Sequence, residues 1–274
     1  MYRARRVQGD FSPASGIEPR DLSYPPAQLC KAGRLNRAGA PLFYASTSKS
    51  PLLFELEAGQ GEQFILSIWR MDESPILSSL GYVHSVFSAL GAQRGAPSWL
   101  STRAVEPQDA QSNFHKVDLL GELFAQRVQP FELEKYKLTA AIAELHYGLL
   151  EGGARQFAGA MYPSVAMWAN GDNIALRPWF VDAHMHLTKA IHIRVDSTED
   201  KTFSITELDK AFDVDSQGKL RWVGHTGVRF QTSVSVRCTF TEGRDELGDY
   251  IIGKDNVFGH WACVDEMSGR KFTV

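Results

Sequence analysis

The chain reads as an α+β protein. Helical periodicity gathers in its middle third, strand-like alternation brackets it at both ends, and the regular strand–helix alternation of a doubly wound sheet is missing. At the start, Tyr2 to Val7 reads as a short edge strand, and Pro13, Pro19, Pro25 and Pro26 make residues 9 to 28 mostly irregular. Leu42 to Ala45 reads as a short buried strand. Ser50 reads as an N-cap with Pro51 at the first helical position, which places Glu55 early in a helix closing near Gly59. Phe64 to Met71 is a predicted strand. Ser74-Pro75 then opens a predicted helix carrying Ile76, Leu77, Leu80, Val83, Phe87 and Leu90 at helical spacing, stopped by Gly91. Residues 92 to 113 read as loop. Leu119, Leu120, Leu123 and Phe124 predict another helix, and Leu138, Ile142, Leu145 and Leu149 a fourth, ended by Gly152-Gly153. From Asn173 onward the pattern is β, with Ile191, Ile193 and Val195 alternating, then Val228, Phe230, Thr232, Val234 and Val236.

Composition narrows the class. A chain of 274 residues with 43% hydrophobic and 22% charged content holds one large domain with a core, or one domain with an appendage. The net charge of -3 and the scattered arginines lack the electrostatic footprint of a nucleic-acid binder. Cys30, Cys238 and Cys263 form no CxxC pair, which predicts thiols buried as small hydrophobes in a reducing compartment. The basic opening Met1-Tyr2-Arg3-Ala4-Arg5-Arg6 has no apolar stretch behind it, and no run of about eighteen apolar residues occurs, so the sequence predicts a cytoplasmic protein without a membrane span.

The residues that carry chemistry cluster early. Gly33-Arg34-Leu35-Asn36 sets a guanidinium in a glycine-bearing turn, where it can grip a phosphate bidentately. Arg3 is a second candidate for the same pyrophosphate. Tyr44 offers a flat face for a heteroaromatic ring and a hydroxyl for orientation, and Glu55 supplies a carboxylate. Tyr162-Pro163-Ser164 forms a comparable cluster much later in the chain. Each residue also has an ordinary reading: solvated or ion-paired charges, a half-buried strand tyrosine, a loop serine capping its own backbone. Together they suit a phosphate-bearing nucleoside better than a metal or a nucleic acid.

In their order along the chain, Tyr2-Arg3, Gly33-Arg34-Leu35-Asn36, the Gly39-to-Tyr44 stretch, Glu55 and Tyr162-Pro163-Ser164 resemble the RES domain, a family named for its Arg, Glu and Ser. Tyr136-Lys137-Leu138-Thr139 and Asn173-Ile174-Ala175-Leu176 extend the resemblance, which covers roughly residues 2 to 195. It implies a catalytic domain over residues 1–195 with an ADP-ribosyltransferase-like core of short strands and a helical middle section. Residues 196–274 would then be a β-rich C-terminal extension packed on or completing the same domain. It also implies an NAD+ glycohydrolase or phosphorylase, with NAD+ as substrate and no separate cofactor. Many relatives are toxins of toxin–antitoxin pairs, held inactive by a DNA-binding antitoxin. The chain departs from the family pattern at Leu35, where an aromatic is usual, and at Arg37-Ala38, which replaces a common Pro-Pro. Residues 72 to 135 are longer than the middle of compact toxins.

The chemistry fits the bare residues. Nicotinamide leaves NAD+ as a neutral group, so cleaving its glycosidic bond needs no protonated acid, unlike ordinary glycoside hydrolysis with its two carboxylates. One carboxylate suffices. Glu55 is assigned to the oxocarbenium-like ribose, Arg3 and Arg34 to the diphosphate, Tyr44 to nicotinamide or its ribose, and Ser164 to the ribose, the amide or an incoming phosphate. Transfer of ADP-ribose to a macromolecule, or a non-catalytic nucleotide-binding module, are the alternatives.

Val181-Asp182-Ala183-His184-Met185-His186-Leu187 imitates a metal-binding strand, on which His184 and His186 would point the same way. The segment resembles the first metal-binding strand of amidohydrolases, a superfamily that builds its remaining ligands on a barrel of about 250 residues after that strand. Only 88 residues follow His186, with His192, His225 and His260 as the later histidines, so the expectation is a non-metal pair. No GxSxG elbow, Walker loop or GxGxxG after a strand occurs.

Overall fold

The computed structural model describes residues 1–8, 11–13, 16–92, 119–128, 132–148, 157–199 and 202–224, together with strands at 228–233, 242–244, 250–252, 261–264 and 271–273. The strands are β1 (Tyr2–Arg6), β2 (Phe43–Ser46), β3 (Gln63–Met71), β4 (Leu77–Ser79), β5 (Gly159–Pro163), β6 (Asp172–Leu176), β7 (Met185–Glu199), β8 (Thr202–Val214), β9 (Leu220–Trp222), β10 (Val228–Ser233), β11 (Glu242–Arg244), β12 (Tyr250–Ile252), β13 (Trp261–Val264) and β14 (Lys271–Thr273). The helices are α1 (Ser50–Glu55), α2 (His84–Ala89), α3 (residues 119–125), α4 (Tyr136–Gly148) and α5 (Pro178–His184). The class is mixed α+β. Two compact units divide the chain: a first of Met1–Ser23, Ala45–Asp72 and His184–Val274, and a second of Tyr24–Tyr44 and Glu73–Ala183. Among the described residues no helix is long and apolar enough to cross a membrane.

The first unit is an antiparallel sheet in which β1 pairs with β3, β3 with β7, β7 with β8, β8 with β10, β10 with β13 and β13 with β14. Of the strands after residue 200, β8, β9, β10, β13 and β14 therefore belong to this sheet, whereas β11 and β12 pair with each other in a separate two-stranded sheet; residue 195 falls inside β7. β1 also pairs through Tyr2 with Ser46 of β2, so it is an interior strand and not the edge strand expected. Alternation explains its burial: Tyr2 and Ala4 join Phe64, Leu66, Ile193, Val195 and Ile205 in one core cluster. Leu52 and Leu53 of α1 cover that face. Pro51 lies in the first turn of α1 as expected, but Lys49, not Ser50, is the cap residue.

On β7, His192 shares a hydrogen bond between its Nε2 and Gln63 Oε1 at 2.8 Å, and burial, only partly offset by Asp209, lowers its pKa below 6.5. The folded ring thus resists a proton that the unfolded chain accepts. The contribution of His192 to stability is present above its unfolded pKa of about 6.5 and is lost as pH falls below it. Denaturant titrations at pH 7.5 and 5.5 should show lower stability at pH 5.5, by a margin that His192→Gln reduces.

In the second unit β4 runs parallel to β5, and β5 antiparallel to β6. β4 replaces the first half of the helix predicted from Ser74. The reason is local: Leu77, Ser78 and Ser79 pair with Gly159, Ala160 and Met161, and Gly81 then turns the chain with φ 75, so only His84–Ala89 remain helical. Gly91, with φ 69, stops that helix as expected. Helix α4 is present: it buries Thr139, Ala140 and Ala143 and packs Ile142 against the core as the stripe predicts, but leaves Leu138 53% exposed. Val181 to His184 are helical, which removes the single strand assumed for both histidines: His184 ends α5 and His186 lies on β7. Residues 93–113, Leu149, Gly152-Gly153, Val234 and Val236 lie outside the described residues.

Candidate functional site

The Gly33–Asn36 turn in the second unit is closed by paired backbone bonds, Gly33 N–H to Asn36 C=O at 2.9 Å and Asn36 N–H to Gly33 C=O at 3.4 Å. Its centre is the Tyr44 hydroxyl, which accepts from the Leu35 N–H at 2.9 Å and donates to Asn36 Oδ1 at 2.8 Å. The Asn36 amide group donates onward to the carbonyls of Lys31, at 3.0 Å, and Arg37, at 2.9 Å. Glycine is required at 33 by space: a Cβ there would sit 2.7 Å from Asn36 Oδ1 and 3.0 Å from the Tyr44 hydroxyl. Asn36 is buried, and it acts as the hub that carries this turn. Its sequence signal was only its place in the Gly-Arg-Leu-Asn motif. Leu35, where the family pattern has an aromatic, is 1% exposed in a cluster with Leu42, Phe124, Ala160 and Tyr162.

Arg34 is held firmly. Its Nη1 donates to the Phe124 carbonyl at 2.6 Å and its Nη2 to the Gln126 carbonyl at 2.9 Å, and its guanidinium lies 5.6 Å over the Tyr136 ring. Two of five N–H donors are thereby committed to backbone. What remains is a fixed cation with donors in a known orientation.

Cys30, just before the turn, is buried, and its thiol accepts from the Asn36 amide at 3.3 Å. Burial pushes the Cys30 thiol up from its ordinary pKa, the opposite of what a nucleophile needs.

Ser164 follows β5 and is fully buried. Its hydroxyl accepts from the Met167 N–H at 3.3 Å, its own N–H donates to Gly171 C=O at 2.8 Å, and its carbonyl accepts from the Ala169 N–H at 2.8 Å. Trp168 and Ala169 both adopt left-handed backbone, with φ 50 and φ 60. The serine thus caps a tight turn. Tyr162, two residues earlier, packs in the same cluster as Leu35 with Tyr44 against it, so the two motifs of this unit share one core.

In the first unit Glu55 ends α1 with its side chain exposed. Arg3 pairs in register with Ser67, whose hydroxyl donates to the Arg3 carbonyl at 3.1 Å and accepts from Trp69 Nε1 at 2.9 Å. Strand alternation therefore sends Arg3 to the face of Ser67 and Trp69, opposite the face that α1 covers. Arg3 and Glu55 are not brought together on one face of this sheet. Burial, and then the neighbouring Arg5, push the Arg3 guanidinium down to about 10, which leaves it cationic at neutral pH.

His186 contacts the Asp72 carboxylate through Nε2, and among the described residues no group of three His, Cys, Asp or Glu is placed to hold a metal ion. Comparison of the chain with protein-family models, with curated proteins and with solved structures finds no match.

Proposed function

We propose that the protein is an NAD+-degrading enzyme of RES type that cleaves the bond between nicotinamide and ribose. The observation that carries this reading is the Gly33–Asn36 turn, in which Tyr44 and Asn36 lock the backbone while Arg34 is braced on two carbonyls. A guanidinium fixed in this way binds phosphate without the entropic loss of ordering a long side chain. Glu55, exposed at the end of a short rigid helix, has the carboxylate the leaving of a neutral nicotinamide calls for. Arg34 takes the diphosphate. Glu55 stabilises positive charge as it develops on the ribose, and water or phosphate then attacks C1 of that ribose. With water the attack releases one proton to solvent and gives ADP-ribose; with phosphate it gives the ribose 1-phosphate. Tyr44 and Ser164 act mainly by holding their turns, because their hydroxyls are engaged by backbone N–H groups. The ADP-ribosyltransferase-like core and an inhibitory DNA-binding antitoxin belong to the same proposal.

Incubating the purified protein with NAD+ and separating the products by chromatography tests it. Free nicotinamide with ADP-ribose or its phosphorylated form is expected. Label retained on protein would assign a transferase instead, and intact NAD+ overturns the reading.

A further inference from the structure

A bulge in β8 of the first unit sets a titratable ring beside the carboxylate that anchors a hairpin. β7 and β8 pair at His192↔Asp209 and next at Ile193↔Glu207, so Leu208 is an extra residue of β8. Arg5, Ile65, His192 and Asp209 fall in one row across the sheet, on the face opposite the one that α1 covers. Gln63 Oε1 accepts from His192 Nε2 at 2.8 Å, so the neutral ring carries its proton there and keeps a lone pair at Nδ1. Asp209 Oδ1 accepts from the Lys210 N–H at 2.7 Å and from the Gly224 N–H at 2.8 Å. The second of these bonds closes the open end of the β8–β9 hairpin.

Other ties of β9 are sparse. It is three residues long and pairs with β8 through Ala211↔Trp222 and Val214↔Leu220, with the register shifted between them. The Val223 N–H donates to the Lys210 carbonyl at 2.9 Å and the Leu220 N–H to the Ile17 carbonyl at 2.8 Å, and Arg221 and Asp213 form an exposed ion pair. The Trp222 ring stands edge-on to His192 with centroids 6.3 Å apart, and its indole N–H is buried without a hydrogen-bond partner among the described residues.

The charges around the ring leave Asp209 as its counterpart. From β1, Arg5 turns to the Phe11 ring and the Asp21 carbonyl. Next on β7, Arg194 pairs with Asp196 at 2.8 Å. Lys210 of β8 alternates to the other face, where it lies 3.5 Å from Glu207. β3 and β9 contribute the neutral Gln63 and Trp222. Burial lowers the His192 pKa, and Asp209 opposes that shift only in part. We infer that His192 is an acid-sensitive latch: a proton at Nδ1 makes the ring a second donor, which draws the Asp209 carboxylate from the Gly224 N–H and releases the end of the hairpin. Residues 211–214 and Leu220 line a cleft of about 300 Å³ with residues 185–189, so release also loosens that wall. The inference does not depend on the NAD+ reading.

Amide hydrogen exchange followed by NMR between pH 7.5 and pH 5.0 tests it, with protection factors corrected for the intrinsic effect of pH. Protection at Val223 and Gly224 is expected to fall by about tenfold or more as pH drops below 6.5, while that of Ile193 and Ile205 in the sheet core falls by less. His192→Gln should hold the neutral-pH protection throughout. Asp209→Asn, which still accepts from Gly224 but attracts no cation, should do the same and move the titration of His192 further down. Melting at pH 7.5 shows that both variants are folded. Constant protection at Gly224 in the wild type, a fall that persists in either variant, or an equal fall at Ile193 and Ile205 overturns the inference.

Discussion

Glu55→Gln is expected to lower the rate of nicotinamide release by about two to three orders of magnitude while changing the affinity for NAD+ by less than about threefold. The asymmetry follows from when the charge is needed. NAD+ already carries a cation on nicotinamide in the ground state, and positive charge moves onto the ribose only as the bond breaks. A carboxylate placed there stabilises the transition state more than the bound substrate. Glutamine keeps the shape and the hydrogen-bonding reach but not the charge. Glu55 suits this substitution because its side chain is exposed at the last residue of α1 and glutamine matches its size; thermal melting of the variant reads any stability cost. Product formation followed by chromatography, with NAD+ affinity from calorimetry on the variant, checks both halves. Turnover by Glu55→Gln equal to that of the wild type removes the mechanism.

Which parts of the molecule could be read from sequence depends on whether neighbours in the chain or distant partners decide the structure. β3 and β7 announce themselves because Phe64, Leu66, Ile191, Ile193 and Val195 alternate and enter one core. The helical spacing from Ile76 to Leu90 misleads because a parallel partner outside that window, β5, takes up Leu77–Ser79, and a short stretch of apolar residues fits either periodicity. Helix α4 is found and its face in part: Ile142 of the predicted stripe packs against the core, but Leu138 does not, and Ala140 and Ala143, which make less hydrophobic signal, face inward because small residues permit close packing. β1 reads as a short edge strand, yet it pairs with β3 along its length and with β2 at Tyr2, while Arg5 stays exposed over the Phe11 ring at 3.9 Å and Arg6 pairs with Glu62, because distant partners set its place in the sheet. At the candidate site, the sequence gives residue types and order. It does not reveal that Asn36 and Tyr44 form one hydrogen-bonded hub, that the Ser164 hydroxyl caps its own turn, or that Arg3 and Glu55 take opposite faces, because each of these is set by pairing register and not by composition.

Arg34→Ala should lower both stability and NAD+ affinity, and the two losses can be measured separately. The stability loss comes from the bonds to the Phe124 and Gln126 carbonyls, which tie the turn to residues 119–128. Charge-assisted bonds to carbonyls contribute about 1.5–3 kcal/mol each when buried, and partial solvent access brings the expected total for this pair to about 2 kcal/mol. Thermal melting without NAD+ reads that loss. The affinity loss, about tenfold or more, comes from the donors that remain for the diphosphate. Titrating NAD+ in a Glu55→Gln background reads it without interference from turnover. Arg34→Lys separates geometry from charge: lysine keeps a cation but has no planar fork, so it should recover less than half of either loss. The informative failure is an Arg34→Ala protein that melts earlier yet binds NAD+ as tightly as its parent. In that case the guanidinium only ties backbone segments together, and the phosphate-binding role assigned to it is wrong.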